Sequence, residues 1–268
     1  MPEGPECYMT ASKLNRWIVG HKITKIGVTG GRYTKKTSAK DAAAFASLNK
    51  VLANTPLKVK DVKSKGKLIY ITLERDVVLL STLGLSGAWR QKGTKHCDLH
   101  ITTDYTTIWF HDQLHYGTLK VTDSKGLAKK LKQLGPDVTL GAESLTRDQW
   151  AEICKKNYRS SVASLLMTQS KIAGVGNYLK AEILYAAGIA PTSTIDDLPK
   201  KKLDELYLNL TVIPHAWLLW KQRKGPRCFM KVYGRGKDWN GNKVERLKTD
   251  DGRVSHWVPA KQWEYTAY

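Results

Sequence analysis

The chain has 268 residues, 41% apolar and 25% charged, with nine Trp and twelve Tyr. That is enough for one large or two modest domains with a buried core, and too many large rings for a disordered chain. Lys and Arg number 44 against 24 Asp and Glu, a formal charge of +20, which excludes an ordinary neutral enzyme surface and asks for a polyanion, nucleic acid first.

In chain order, Cys7, Ala11, Leu14 and Ile18 fall on one helical face that ends at Gly20. From about 21 to 122 the pattern predicts strands. Ile69, Ile71 and Leu73 alternate with Leu68, Tyr70 and Thr72, and Val77–Leu83, Leu99–Thr103 and Thr106–His111 follow. Glu74-Arg75-Asp76 and Asp104-Tyr105 read as hairpin ends, and short strands at this spacing predict an antiparallel β-sandwich or barrel. Residues 123–140 read as a linker. A helical half follows. Thr146 and Gln149 form a capping box with Leu145 stapled to Trp150, Ser160 or Ser161 opens a helix through Met167, and Asn177 caps another to Gly188. Leu203 to Trp220 carry a further helical face, with Pro214 as a kink or break. Val244–Lys248 and Arg253–Val258 flank an Asp250-Asp251-Gly252 turn as a β-hairpin, inside a tail with eleven basic and four acidic residues over 221–253.

No segment approaches the roughly 20 apolar residues of a membrane helix, and no apolar leader opens the chain, so secretion is not expected. An anionic membrane surface would need a long basic amphipathic helix, and none is evident. Cys7, Cys97, Cys154 and Cys228 lie far apart without C-x-x-C, which predicts buried free thiols rather than a zinc site or disulfides.

Four features could carry chemistry. Loss of Met1 would expose the Pro2 nitrogen as a secondary amine. Attack on a sugar C1′ would give an iminium that cannot lose a proton to become a neutral imine, so it persists as an electron sink for elimination. Glu3 stands beside it to move protons, and Glu6 follows on the first helical turn. Read alone, this segment is an ordinary helix entry. Gly174-Val175-Gly176-Asn177-Tyr178 runs glycines into a helix N-terminus, where backbone N–H groups could meet a phosphate, though an ordinary glycine turn reads the same way. Lys67 opens an apolar strand after Gly66. Arg253 lies just past a hairpin turn.

Together these features resemble the formamidopyrimidine-DNA glycosylase/endonuclease VIII family. The resemblance runs in order along nearly the whole chain, through Met1-Pro2-Glu3-x-Pro5-Glu6, Gly66-Lys67-Leu68, Leu83-Gly84-Leu85-Ser86-Gly87 and Lys95-His96-Cys97-Asp98. It continues through Asp112-Gln113-Leu114-His115-Tyr116-Gly117, Leu134-Gly135-Pro136-Asp137 and Gly174 to Glu182. It implies an α+β protein with an N-terminal helix and β-sandwich catalytic domain (1–122) and a linker (123–140). A helix–two-turn–helix domain (141–225) and a C-terminal hairpin finger (226–268) would follow, with DNA between sheet and helical domains.

The resemblance also implies roles. Pro2 would be the Schiff-base nucleophile, Glu3 the general acid, and Lys67 a phosphate-binding assistant in proton transfer. Asn177, Gly176, Arg159, His96 and Glu6 would meet DNA, with Arg253 reaching in from the hairpin. Leu85, Leu114 and Tyr116 would fill the hole left by a flipped nucleotide. The chain departs from the family in two places. Its tail holds only Cys228 where the family has a four-cysteine zinc finger, so the resemblance is to the zincless-finger endonuclease VIII-like branch, with a giant-virus member in view. Leu114 stands where the family has an arginine that reads the orphaned base. The expected partner is damaged DNA, duplex or single-stranded, met by a monomer without metal or cofactor, in the nucleus or a viral replication compartment. A non-catalytic DNA-damage-binding protein that kept the fold remains the rival. An RNA-binding protein explains the charge but not Pro2, Glu3, Lys67 and Asn177 together.

Overall fold

The computed structural model describes residues 2–35, 38–223 and 230–264. Contacts divide the chain into two compact units, Met1–Pro2 with Glu6–Gln133 and Glu3–Pro5 with Leu134–Tyr268.

From Glu6 onward α1 (Gly4–Ile18) belongs to the first unit, and its Cys7, Ala11, Leu14 and Ile18 are buried as their spacing requires. Eight strands follow: β1 (Lys22–Val28), β2 (Leu57–Lys65), β3 (Leu68–Leu73), β4 (Val78–Thr82), β5 (Ala88–Arg90), β6 (Cys97–Thr103), β7 (Thr107–His111) and β8 (Thr118–Thr122). They pair antiparallel in the order β5-β7-β6-β1-β2-β3-β4-β8. The β1–β2 seam consists of Lys22↔Lys58 and Ile23↔Leu57 alone, whereas β2–β3 pair from Val59↔Leu73 to Lys65↔Leu68. The sheet thus has two four-stranded leaves joined at a corner. Ile69, Ile71 and Leu79 of one leaf share a core with Leu99, Ile101 and Phe110 of the other. The β3–β4 turn has Arg75 and Asp76 both at positive φ (54° and 57°), the pattern of a tight hairpin turn matched to strand twist.

Two helices lie where the sequence reading placed strands and linker. α2 (Ala39–Asn54) sits between β1 and β2, burying Phe45, Leu48 and Leu52 at helical spacing. The strong strand signals on either side had hidden this alanine-rich stretch. α3 (Ser124–Lys132) occupies half of the expected linker. Asp123 caps it by accepting from Gly126 N–H at 2.7 Å, and it buries no residue. Leu127, Ala128 and Leu131 do fall on one helical face, but over nine residues the pattern is too short to set a helix apart from a charged linker.

The second unit is helical with a terminal hairpin. α4 (Arg147–Lys156) starts on the Thr146/Gln149 capping box, with Leu145 and Trp150 in one core. Ser161 caps α5 (Val162–Met167). α6 (Asn177–Ala187) ends at Gly188, whose φ of 67° closes the helix as a left-handed residue does. α7 (Lys200–Gln222) runs through Pro214 as a continuous helix, where a break had been one expectation. Leu206, Leu210 and Trp217 of α7 pack with Tyr178, Leu179 and Ile183 of α6. The hairpin is β9 (Glu245–Lys248) and β10 (Val254–Trp257).

Candidate functional site

The first chemistry-bearing residue of the second unit is Glu3, fully buried. Its Oε2 accepts from Gly176 N–H at 2.7 Å and Leu179 N–H at 3.2 Å, and its Oε1 from Tyr178 N–H at 2.9 Å. The first N–H groups of a helix have no partner within it, and the helix N-terminus favours negative charge. The Glu3 carboxylate supplies both needs at α6 from 173 residues away in sequence. Two glycines make room. A Cβ on Gly176 would lie 2.3 Å from Glu3 Cδ, and one on Gly4 would lie 2.2 Å from Thr139 Oγ1. Gly4 N–H also donates to Gly174 O at 2.8 Å, and Gly174 sits at φ 101°.

This geometry corrects two sequence expectations. Asn177 is the first residue inside α6, and the N-cap is Gly176, which has no side chain to cap with. The N–H groups expected to face a phosphate, those of Gly176 and Tyr178, are taken by Glu3. The Asn177 side chain reaches the hairpin, its Nδ2 donating one hydrogen to Val254 O at 2.9 Å, while its Oδ1 is buried without a partner.

The hairpin tip is tied down by its acids. Asp250 accepts from Ser161 Oγ at 2.6 Å, and Asp251 lies 2.6 Å from Lys180 Nζ. Arg253 is exposed, with its own N–H donating to Asp251 Oδ1 at 3.1 Å. Arg246, Lys248, Val254 and His256 share one hairpin face by register. They line a cleft of about 710 Å³ with Asn177, Tyr233 and Gly234. Burial, then the charges of Arg246 and Lys180, hold the His256 imidazole below its usual value, so the cleft's fixed positive charge rests on Arg246 and Lys248. Arg159 is exposed on the loop after α4, its guanidinium 5.2 Å from the Tyr158 ring centroid.

In the first unit, Pro2 is half-buried just ahead of α1, and Glu6 lies in that helix's first turn. Lys67 is half-buried in the β2–β3 turn, where Gly66 at φ 55° lets the chain reverse in two residues. His96 is half-buried, its ring edge-on to His111 at 5.6 Å.

Leu85, Leu114 and Tyr116 come together on two adjoining loops that residues without an assigned role hold in place. The buried Asp112 accepts from Ser86 Oγ and from Gly117 N–H (2.6 Å), and Ser86 Oγ accepts from Leu114 N–H at 3.0 Å. His115, at φ 57°, adopts a conformation that costs a non-glycine residue energy, and its ring nitrogen lies 2.7 Å from buried Asp98. Leu114 and Tyr116 stand on either side of it, 51% and 61% exposed. Large apolar groups held outward by a buried polar brace have the form of a wedge. Asp98 itself is raised, chiefly by burial, against the pull of His115.

Cys7, Cys97 and Cys154 are buried and in no disulfide, and burial pushes the Cys154 thiol up to about 12, so none of the three is an exposed nucleophile. Cys228 lies outside the described residues. Among the described residues no three His, Cys, Asp or Glu side chains are grouped to hold a metal ion.

Comparison with known proteins gives concordant matches. The family described as Formamidopyrimidine-DNA glycosylase N-terminal domain matches residues 1–119, and Formamidopyrimidine-DNA glycosylase H2TH domain matches residues 134–216. Endonuclease 8 of Pectobacterium atrosepticum is 29% identical over 226 residues, 80% of this chain and 78% of that protein. Formamidopyrimidine-DNA glycosylase of Listeria monocytogenes is 27% identical over 283 residues, 97% of this chain and 98% of that protein. The crystal structure of Lactococcus lactis formamidopyrimidine-DNA glycosylase, non-covalently bound to DNA containing an AP site, aligns with a TM-score of 0.82. It covers 98% of this chain and 100% of its own at 22% identity, which establishes a shared fold.

Proposed function

We infer, because the chain belongs to the formamidopyrimidine-DNA glycosylase/endonuclease VIII family, that it is a DNA glycosylase and AP lyase of base excision repair that works through Pro2. The observation that carries this reading is the Glu3 carboxylate on the amides of Gly176, Tyr178 and Leu179. Pro2 is the residue before Glu3, and Asn177 is the residue after Gly176, so the proposed nucleophile and phosphate ligand each adjoin a residue of that contact in sequence.

In the proposed sequence Met1 is removed and the Pro2 nitrogen is free. α-Amino groups titrate near ~8, so a useful fraction is unprotonated at neutral pH. The nitrogen lone pair attacks C1′, the damaged base departs with its electron pair and takes up a proton, and ring opening gives the iminium. Removal of a C2′ proton then expels the 3′-phosphate, and a second elimination expels the 5′-phosphate. Glu3 handles the proton at the sugar, while Lys67, Asn177 and Arg253 hold phosphates. Arg159, His96 and Glu6 add contacts to the strand. Leu85, Leu114 and Tyr116 occupy the vacated position in the duplex.

The proposed substrates are oxidised pyrimidines such as thymine glycol and 5-hydroxyuracil, together with hydantoins. Leu114 supports this, because an apolar side chain cannot make the bidentate contact by which an arginine would read the opposite base. The connection after α7, nine residues from Gln222 to Met230, also supports it, because it leaves little chain to fold over a flipped purine. Of its residues Gln222–Met230, positions 224–229 lie outside the described residues. We assign the chain to the zincless-finger branch, acting in a nucleus or viral replication compartment. Support for the branch is a hairpin anchored by Lys180, Ser161 and Asn177. Single-turnover excision on a lesion panel, in duplex and single-stranded form, tests the whole reading. Thymine glycol and hydantoins should be cut faster than 8-oxoguanine opposite C, with little effect of the opposite base. Equal rates for 8-oxoguanine and thymine glycol would sink the substrate assignment, and no excision of any base would sink the activity.

A further inference from the structure

We infer that Lys180 is a positioning residue for Arg253, and that the buried Lys180–Asp251 pair holds the hairpin tip where other fingers use a metal. Lys180 lies on α6 with its side chain 0% exposed, and its Nζ is 2.6 Å from Asp251 Oδ2, on a side chain 3% exposed. The other oxygen of the same carboxylate accepts from Thr249 Oγ1 at 2.6 Å and from the Arg253 N–H at 3.1 Å. One carboxylate therefore links a helix lysine to the backbone of the arginine.

The neighbouring contacts close the clamp. Asp250 accepts from Ser161 Oγ at 2.6 Å, tying the tip to the start of α5. Val254 O, the carbonyl after Arg253, accepts from Asn177 Nδ2 at 2.9 Å. Thr249 N–H donates to Arg253 O at 3.0 Å. The backbone of Arg253 is thus fixed on both sides while the residue stays exposed. Its register is set against the same helix start that presents Asn177.

Charge at this place is otherwise hard to explain. Two buried charges cost desolvation, and an apolar pair of similar volume is often as stable or more so. Orientation is what an apolar pair would not supply, because it has no acceptor for the Arg253 N–H.

The inference rests on the proposal that Arg253 touches DNA, so its test uses binding rather than excision. The affinity of the full chain is measured for a duplex bearing a reduced, uncleavable abasic site, with thermal unfolding alongside. Arg253→Ala and Lys180→Met should each weaken binding on the order of tenfold, the equivalent of one charge-assisted contact. The double variant should bind no more weakly than Arg253→Ala alone, because Lys180 acts through Arg253. Lys180→Met alone leaves the buried Asp251 carboxylate without its cation and so tests folding of the tip as well, which makes Lys180→Met/Asp251→Leu the decisive variant. It should unfold near the parent's midpoint and still bind about tenfold more weakly. Lys180→Arg should restore most of the affinity. Parent-like binding by Lys180→Met/Asp251→Leu, multiplying losses in Lys180→Met/Arg253→Ala, or no loss in Arg253→Ala would overturn it. A parent protein that binds this duplex but excises no base would refute the glycosylase reading and leave the positioning result standing.

Discussion

Replacing Glu3 by Gln tests the link between the chain's third residue and α6. The carboxylate has acceptor lone pairs for all three N–H groups of Gly176, Tyr178 and Leu179, and it is wholly buried. Gln keeps one acceptor oxygen and turns an NH₂ toward the remaining donors. Hydrogen bonds to a charged group contribute about 1.5–3 kcal/mol each, and the charge at the helix N-terminus adds up to about 1 kcal/mol. With the Gln oxygen in the Oε2 place two of the three bonds are retained, and the net loss is about 2–4 kcal/mol. For domains of this size that corresponds to a fall in unfolding midpoint of roughly 5–15 °C. Calorimetry reads the shift, and single-turnover excision at a temperature where the variant is folded reads the chemistry. Glu3→Gln should melt in that lower range, lose base excision and keep duplex binding. Glu3→Asp, one methylene shorter, should not reach all three amides and should fall between the two. A Glu3→Gln midpoint within about 1 °C of the parent would refute the helix-capping role, and undiminished excision would refute the role in catalysis.

Dialysis against a strong chelator should leave activity and melting unchanged, since no described group of side chains is arranged as a metal site; stoichiometric zinc in the purified protein would contradict this. Asp238 should govern acid stability. Burial raises it, but hydrogen bonds from Asn242, Tyr185 and Asn240 outweigh that and bring it to about 2 from 3.8. A group depressed on folding stabilises the native state above its unfolded value and loses that contribution as pH falls through the folded one. The unfolding midpoint should therefore drop between about pH 4 and pH 2, less steeply in Asp238→Asn; parallel profiles would be the contrary result. Asp98→Ala releases His115, so the Leu114/Tyr116 loop should lose its brace. Excision should slow in duplex more than in single-stranded DNA, where no stack is left to fill, and equal slowing in both would count against the wedge.

The residues proposed to carry chemistry stand out in the sequence because their types are unusual where they stand. A proline after the initiator, a glycine-rich turn before Asn177 and an arginine past a hairpin turn are each local signals. The capping box, the α1 face and the β9–β10 hairpin were legible for the same reason. What stayed hidden depends on partners far away in sequence. Glu3 read as a proton carrier beside Pro2, and its role as the cap of α6 rests on a contact across 173 residues. Asp250 and Asp251 read as turn formers, and only the fold turns them toward Ser161 and Lys180. Lys180 gave no signal, because a lysine on an otherwise apolar helix usually snorkels to solvent. Glu182 is similar: its carboxylate gathers the N–H groups of Lys231, Val232 and Tyr233, a task invisible from the helix alone.

The central claim is that the Pro2 nitrogen forms the covalent bond to DNA. Borohydride reduction during reaction with an abasic-site duplex, followed by mass spectrometry of the trapped peptide, tests it directly. The account predicts a single adduct on Pro2, formed only by chains that have lost Met1 and abolished when the Pro2 nitrogen is blocked. An adduct on Lys67 or any other lysine, or no trapped complex from a protein that still nicks abasic DNA, would contradict it.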